Sequence, residues 1–133
     1  MKVLFVCLGN AFRSPLAEAL LKNLRRDINV DSAGTSPASR IANVTKEFLR
    51  REGALRFLKD KPEWIFSKKL DEYDLIIAME EEHRRFIIGK FPELDEKIEV
   101  WNIADPYFLP EEEAEEVFQT IKARVKELAR KLP

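Results

Sequence analysis

The residues Lys2-Val3-Leu4-Phe5-Val6-Cys7 form an almost unbroken apolar run that ends in Gly9-Asn10, the pattern of a strand covered on both faces. Ser14-Pro15 then reads as an N-cap and a first-turn proline, with Leu16, Leu20, Leu21 and Leu24 following at helical spacing. Ile28-Asn29-Val30-Asp31-Ser32 is a second, weaker strand closed by Gly34. Residues 39–52 place Ile41, Val44, Phe48 and Leu49 on one helical face, with Gly53 as the C-terminal stop. Residues 57–62 read as irregular, and Trp64, Ile65 and Leu70 suggest a short helix. Residues 73–79 are the clearest strand, 80–88 a helix halted near Gly89 and Pro92, and 97–101 a fourth strand. From Glu111 onward Ala114, Val117, Phe118, Ile121, Val125, Leu128 and Leu132 mark a long amphipathic helix. Glu111, Glu112 and Glu113 suit its positive end, and Lys126, Arg130 and Lys131 its negative end.

Strand and helix alternate throughout, which predicts an α/β fold with a four-stranded parallel sheet, right-handed crossovers and helices on both faces. Chemistry in such sheets gathers outside the carboxyl ends of the strands. Here those ends are Cys7, Ser32, Met79 and the segment leading to Asp105.

Composition narrows the picture without changing it. With 133 residues, the length suits one domain over residues 1–133, and 45% hydrophobic with 35% charged residues suits a globular chain. Twenty-three basic against 24 acidic side chains give a formal charge of −1, so no nucleic-acid or membrane partner is expected. The apolar runs are too short to span a bilayer, and a strand pattern at the first residues predicts no secretory leader. One cysteine excludes an internal disulfide or a multi-cysteine metal site and favours a reducing, cytoplasmic location.

The first strand-to-helix junction reads Cys7-Leu8-Gly9-Asn10-Ala11-Phe12-Arg13-Ser14-Pro15. A lone cysteine at a strand end is more often a small buried hydrophobe than a nucleophile. Its surroundings argue otherwise. Gly9 and Asn10 tolerate backbone angles that turn successive N–H groups inward, and a helix N-terminus opens directly afterwards. Arg13 supplies a bidentate fork for phosphate oxygens, and Ser14 can donate its hydroxyl to the sulfur. The features that bind a phosphate dianion also favour a thiolate over a thiol. The second constellation is Ala104-Asp105-Pro106-Tyr107-Phe108. An Asp on a rigid loop can protonate a departing oxygen, and Tyr107 and Phe108 offer walls for an aromatic substrate. Read alone, Asp-Pro is a turn signal; its place after the last strand gives it weight.

These residues resemble the low-molecular-weight protein tyrosine phosphatases, which carry Cys-x5-Arg-Ser near the N-terminus and Asp-Pro near the C-terminus. The matching positions are Val6 to Asn10, Arg13-Ser14-Pro15 with Ala17-Glu18, Ser32-Ala33-Gly34-Thr35, Tyr73-Asp74 leading to Met79, and Asp105-Pro106-Tyr107. The resemblance implies a sheet of strand order 2-1-3-4 without metal or other cofactor. It implies Cys7 as nucleophile, Arg13 as phosphate ligand and transition-state stabiliser, and Asp105 as general acid, then base. The loop residues Leu8, Gly9, Asn10, Ala11, Phe12 and Ser14 would bind phosphate, with Tyr107 and Phe108 at the substrate and Ser32 in a supporting hydrogen-bond network. A phosphorylated protein is the implied partner, and no oligomeric state is implied.

Three departures bear on that expectation. Phe12 stands where many members carry a second cysteine, so oxidised Cys7 is expected to lack a resolving thiol. Ala11 replaces the Ile usual in tyrosine phosphatases and the Thr of related protein-arginine phosphatases, which leaves phosphotyrosine and phosphoarginine both open. Thr35-Ser36-Pro37-Ala38-Ser39-Arg40 lacks an aromatic wall, and Arg40 could meet acidic substrates. Two further readings compete: an arsenate reductase, which would need an external thiol, and a phosphoprotein-binding module without turnover. His83, the one histidine, lies in a charged stretch, reads as solvated and has no metal-ligand spacing; Trp64 and Trp101 read as packing.

Overall fold

The structure, a computed structural model, describes residues 1–133 except for the side chains of Phe108 and Glu111. Four strands lie parallel in the order β2-β1-β3-β4: β1 (Lys2–Cys7), β2 (Asn29–Gly34), β3 (Leu75–Ala78) and β4 (Ile98–Val100). Central β1 pairs Cys7 with Gly34 on one side and Val6 with Ala78 on the other, so three strands end at one level. The expected α/β fold and strand order are those observed.

Side-chain alternation along β1 divides the core between the two faces of the sheet. Val3, Phe5 and Cys7 join one cluster with α1 (Arg13–Leu24) and α4 (Glu111–Lys131), through residues such as Leu16, Leu21, Phe118 and Ile121. Leu4 and Val6 point the other way, onto Ile65, Leu70 and Ile87 of α3 (Glu81–Lys90). Every one of these β1 side chains is buried, which explains the continuous apolar run.

The second helix, α2 (Asn43–Arg51), begins four residues later than its periodicity suggests. The segment before it spends its N–H groups elsewhere. Thr35, Ser36, Ala38 and Ala42 donate to the carbonyls of Cys7, Leu8, Gly9 and Ala11, and so cannot make helical bonds. At α1 the structure also differs from expectation: the helix starts at Arg13 with Phe12 at the N-cap position, and the Ser14 hydroxyl caps nothing because the site uses it. Gly89 does not stop α3, which runs to Lys90 and yields at Phe91-Pro92. Gly53, by contrast, adopts φ +68 just past α2, the left-handed geometry that ends a helix. No helix among the described residues is long and apolar enough to cross a membrane.

Candidate active site

The β1–α1 loop is shaped by the strap of residues 35–42. Because a trans peptide directs its C=O and the next N–H oppositely, tying the carbonyls of Cys7, Leu8 and Gly9 to the strap turns the amides of Leu8, Gly9 and Asn10 the other way. The Asn10 N–H lies 3.3 Å from Cys7 Sγ accordingly. Asn10 itself is fully buried at φ 53, a left-handed angle that Asn tolerates better than most residues.

Asn10 also organises the polar groups behind the loop. Its Nδ2 donates to Ser14 Oγ at 2.8 Å and to Ser32 Oγ at 2.9 Å, while its Oδ1 accepts from the Glu63 N–H at 2.8 Å. Ser32 Oγ donates onward to Glu18 Oε1 at 2.6 Å. Ser14 Oγ sits 3.0 Å from Cys7 Sγ. Since Ser14 accepts from Asn10, its own proton is left for the sulfur.

A cavity of about 390 Å³ opens over this loop. Cys7, Leu8, Gly9, Ala11, Phe12 and Arg13 line one side, and Asp105, Pro106 and Tyr107 face them. Ser36, Ala38, Ala42 and Val44 form a wall of small side chains where an aromatic one was found lacking in the sequence. The Phe108 side chain, expected at the substrate, lies outside the described residues, as does that of Glu111. Asn10, Ser14 and Ser32 are buried behind the loop and do not line the cavity. Arg40 is exposed on the strap. A larger hollow of about 560 Å³ lies at the amino end of the sheet among Lys2, Arg25 and Tyr73; Lys2 is paired with Glu72 and Arg25 with Asp27, and no cysteine lines it.

Arg13 is only 2% exposed and is held from behind. Its Nη1 donates to Glu80 Oε1 at 2.5 Å and to the Ile103 carbonyl at 2.7 Å, and its Nη2 lies 3.4 Å from Asp105 Oδ2. Asp105 Oδ1 accepts from the Tyr107 N–H at 3.0 Å, which fixes the carboxyl in its turn. The phenyl ring of Phe12 meets Phe48 edge-on, filling the position next to the loop arginine.

Sequence reasoning missed Glu80, and the signal was available: it follows Met79 at the carboxyl end of β3. It also assigned no task to Glu18, a charge on the buried face of α1 four residues after Ser14. His83 is a correction. It is not solvated but 1% exposed, because its Nδ1 accepts the Glu80 N–H at 3.0 Å while the Glu80 carboxylate caps the His83 N–H. Burial, with help from the Arg13 charge and against Glu80 and Asp105, pushes its pKa down to about 4. The carboxylates of Glu80 and Glu82 lie near the ring, but the Nδ1 lone pair is already used and the ring proton therefore sits on Nε2. Neither nitrogen is free to ligate a cation. Trp101 is buried against Phe5, as expected of packing, whereas Trp64 is half exposed and touches Phe66 edge-on.

Comparison with known proteins agrees with this geometry. The family model for low molecular weight phosphotyrosine protein phosphatase matches residues 2–133. The low molecular weight protein-tyrosine-phosphatase YfkJ of Bacillus subtilis is 34% identical over 96% of this chain and 93% of its own. A protein-arginine-phosphatase of the same organism is 30% identical over 74% of this chain and 68% of its own. Among solved structures, Vibrio vulnificus Wzb in complex with benzylphosphonate superposes with a TM-score of 0.87 at 26% identity, covering 98% of each chain.

Proposed function

The chain belongs to the low molecular weight phosphotyrosine protein phosphatase family, and from that membership we propose that it hydrolyses phosphotyrosine in proteins through a phosphocysteine intermediate formed on Cys7. The Cys7 thiolate attacks phosphorus in line, forming the S–P bond as the P–O bond to the tyrosyl oxygen breaks. The amides of Leu8, Gly9, Asn10, Ala11 and Phe12, together with Arg13, stabilise the equatorial oxygens. Arg13 Nη1 is engaged with Glu80 and the Ile103 carbonyl, which leaves Nη2, beside Asp105, for a phosphate oxygen. Asp105 protonates the leaving tyrosyl oxygen. It then takes a proton from the water that breaks the S–P bond and releases phosphate. Leu8 and Tyr107 flank the aryl group, and Ser14 and Ser32 hold the thiolate and its loop.

One observation carries this reading: Cys7, Arg13 and Asp105 line a single cavity, with Ser14 Oγ and the Asn10 N–H both converging on the sulfur. A phosphoprotein-binding module needs neither an ionisable sulfur nor a proton donor there. Arsenate reduction needs resolving thiols, which a chain with one cysteine lacks. A phosphoarginine substrate is the second reading. It is favoured by the 30% identity to a protein-arginine-phosphatase, while Ala11 on the cavity wall has neither the bulk of Ile nor the hydroxyl of Thr and leaves both substrates open. The lone nucleophilic thiol suits the reducing cytoplasm.

Turnover of an aryl phosphate by site variants is the test. Cys7→Ser abolishes turnover, and Asp105→Asn lowers kcat by about a hundredfold or more. Wild-type-like turnover by Cys7→Ser overturns the mechanism, and faster hydrolysis of phosphoarginine than of phosphotyrosine peptides selects the second reading.

A further inference from the structure

Against Ser32 of strand β2, outside the lining of the cavity, the Lys59 ammonium is buried to 8% exposure among acidic groups. Its Nζ donates to the Ser32 carbonyl at 2.7 Å and to Glu63 Oε1 at 2.7 Å, and reaches Ser32 Oγ at 3.3 Å. Glu18 Oε1 and Asp31 Oδ1 stand 3.9 and 3.8 Å away. The two residues that Lys59 grips both hold Asn10, whose remaining side-chain bond goes to Ser14. Ser32 Oγ accepts from Asn10 Nδ2, and the Glu63 N–H donates to Asn10 Oδ1. We propose that Lys59 is a positioning residue for the reaction: it ties Ser32 to Glu63, thereby fixes Asn10 and the Ser14 proton on Cys7, and supplies a buried positive charge that favours the thiolate. The proposal rests on the phosphatase reading and deepens it.

Charge bookkeeping supports this assignment. The cluster contains the carboxylates of Glu18, Asp31 and Glu63 and the ammonium groups of Lys22, Lys59 and Lys68. Lys22 is bonded to Glu18 at 2.5 Å, and Lys68 lies 2.7 Å from Asp31 and 2.8 Å from Glu63. Three anions therefore meet three cations, and removing Lys59 leaves one uncompensated negative charge on the sulfur's polar relay. The Tyr73 hydroxyl adds a contact to Asp31 at 3.2 Å and no charge, since burial and that carboxylate hold it protonated. Burial pushes the Glu63 carboxyl up, but hydrogen bonds from Lys59 and Lys68 outweigh it and keep it below its usual range. Among the described residues, the charges at the cavity near the loop are Arg13, Glu80 and Asp105, with neutral His83 beneath them.

The test reads the sulfur directly, without relying on turnover. Iodoacetate alkylates Cys7, the one thiol of the chain, and the pH dependence of that rate follows thiolate formation. Lys59→Met moves the midpoint up by about half a pH unit or more, so that below it alkylation slows by about threefold or more. Glu63→Gln removes a partly exposed carboxylate while leaving both backbone bonds of that residue in place, and moves the midpoint down. Lys59→Arg returns it towards the wild-type position. The acidic limb of kcat/KM for an aryl phosphate shifts in the same directions. Opposite signs separate a charge effect from loosened structure, which would lower the rate at every pH. Midpoints within about 0.2 unit of wild type in both variants, or shifts of the same sign, overturn the proposal. Should Lys59→Met fail to fold, Glu63→Gln decides alone. Shifted alkylation in a protein without phosphatase activity would keep the inference and reject the function.

Discussion

His83 holds its imidazole where a proton is unwelcome. Its Nδ1 must remain an acceptor for the Glu80 N–H, and Glu80 in turn grips Arg13. The folded pKa, about 4, lies below the ordinary value of 6.5, so between those limits the unfolded chain binds a proton that the folded chain refuses. This contribution is complete above about pH 6.5 and is lost as pH falls towards 4, amounting to at most about 3 kcal/mol. Asp31 and Glu63 behave alike in sign but in a lower window, since their carboxyls are held below the usual carboxylate range. His83→Gln keeps a side chain able to close the capping box and cannot titrate. Urea midpoints measured from pH 7 to 4 are expected to decline less steeply in His83→Gln than in wild type. Equal slopes would show that the buried ring does not carry this dependence.

The loop after β1 takes its shape from a neighbouring strand and strap as much as from its own residues. Gly34 ends β2 against it: a Cβ there would lie 2.6 Å from the Leu8 carbonyl oxygen and 3.0 Å from the Asn10 nitrogen. Both are backbone atoms, so the contact cannot be relieved by a rotamer change. Gly34→Ala is expected to cost about 1–3 kcal/mol of stability and at least about tenfold in kcat/KM, because what must move is the loop itself. Thermal melting and aryl phosphate kinetics together check this, and an unchanged variant would mean that the strand end and loop are not in contact. The strap adds the complementary constraint, directing carbonyls outward through four backbone bonds.

Across the molecule, the long α4 helix closes the face that carries the cysteine. Phe118 is fully buried and stacks on Phe48 with ring centroids 4.3 Å apart, and Phe48 in turn meets Phe12 beside the loop. Arg51 covers both stacked rings from the solvent side. Phe118→Ala removes the fully buried end ring of this aromatic column, and a loss of about 3–5 kcal/mol is expected. That is a large share of the roughly 5–15 kcal/mol a domain possesses. Denaturant unfolding should show a lower midpoint at an unchanged slope, and a loss below about 1 kcal/mol would contradict the packing described.

Alternating apolar runs, the Gly9-Asn10 break and the Asp-Pro pair were legible along the chain, because burial on both sheet faces and turn chemistry act on neighbouring residues. Those local rules were enough to set Cys7 at a strand end, Arg13 in the loop that follows it and Asp105 after the last strand. They misplaced the start of α2, since the N–H groups of residues 35–42 bond to carbonyls more than 25 positions earlier. They likewise set His83 in solvent and left Glu18, Lys59 and Glu80 without tasks, because each acts through a partner remote in the chain. Ser32 and Lys59 are separated by 27 residues, Arg13 and Glu80 by 67. Charge pairing over such separations depends on how the strands stack beside one another, and hydrophobic spacing carries no record of it.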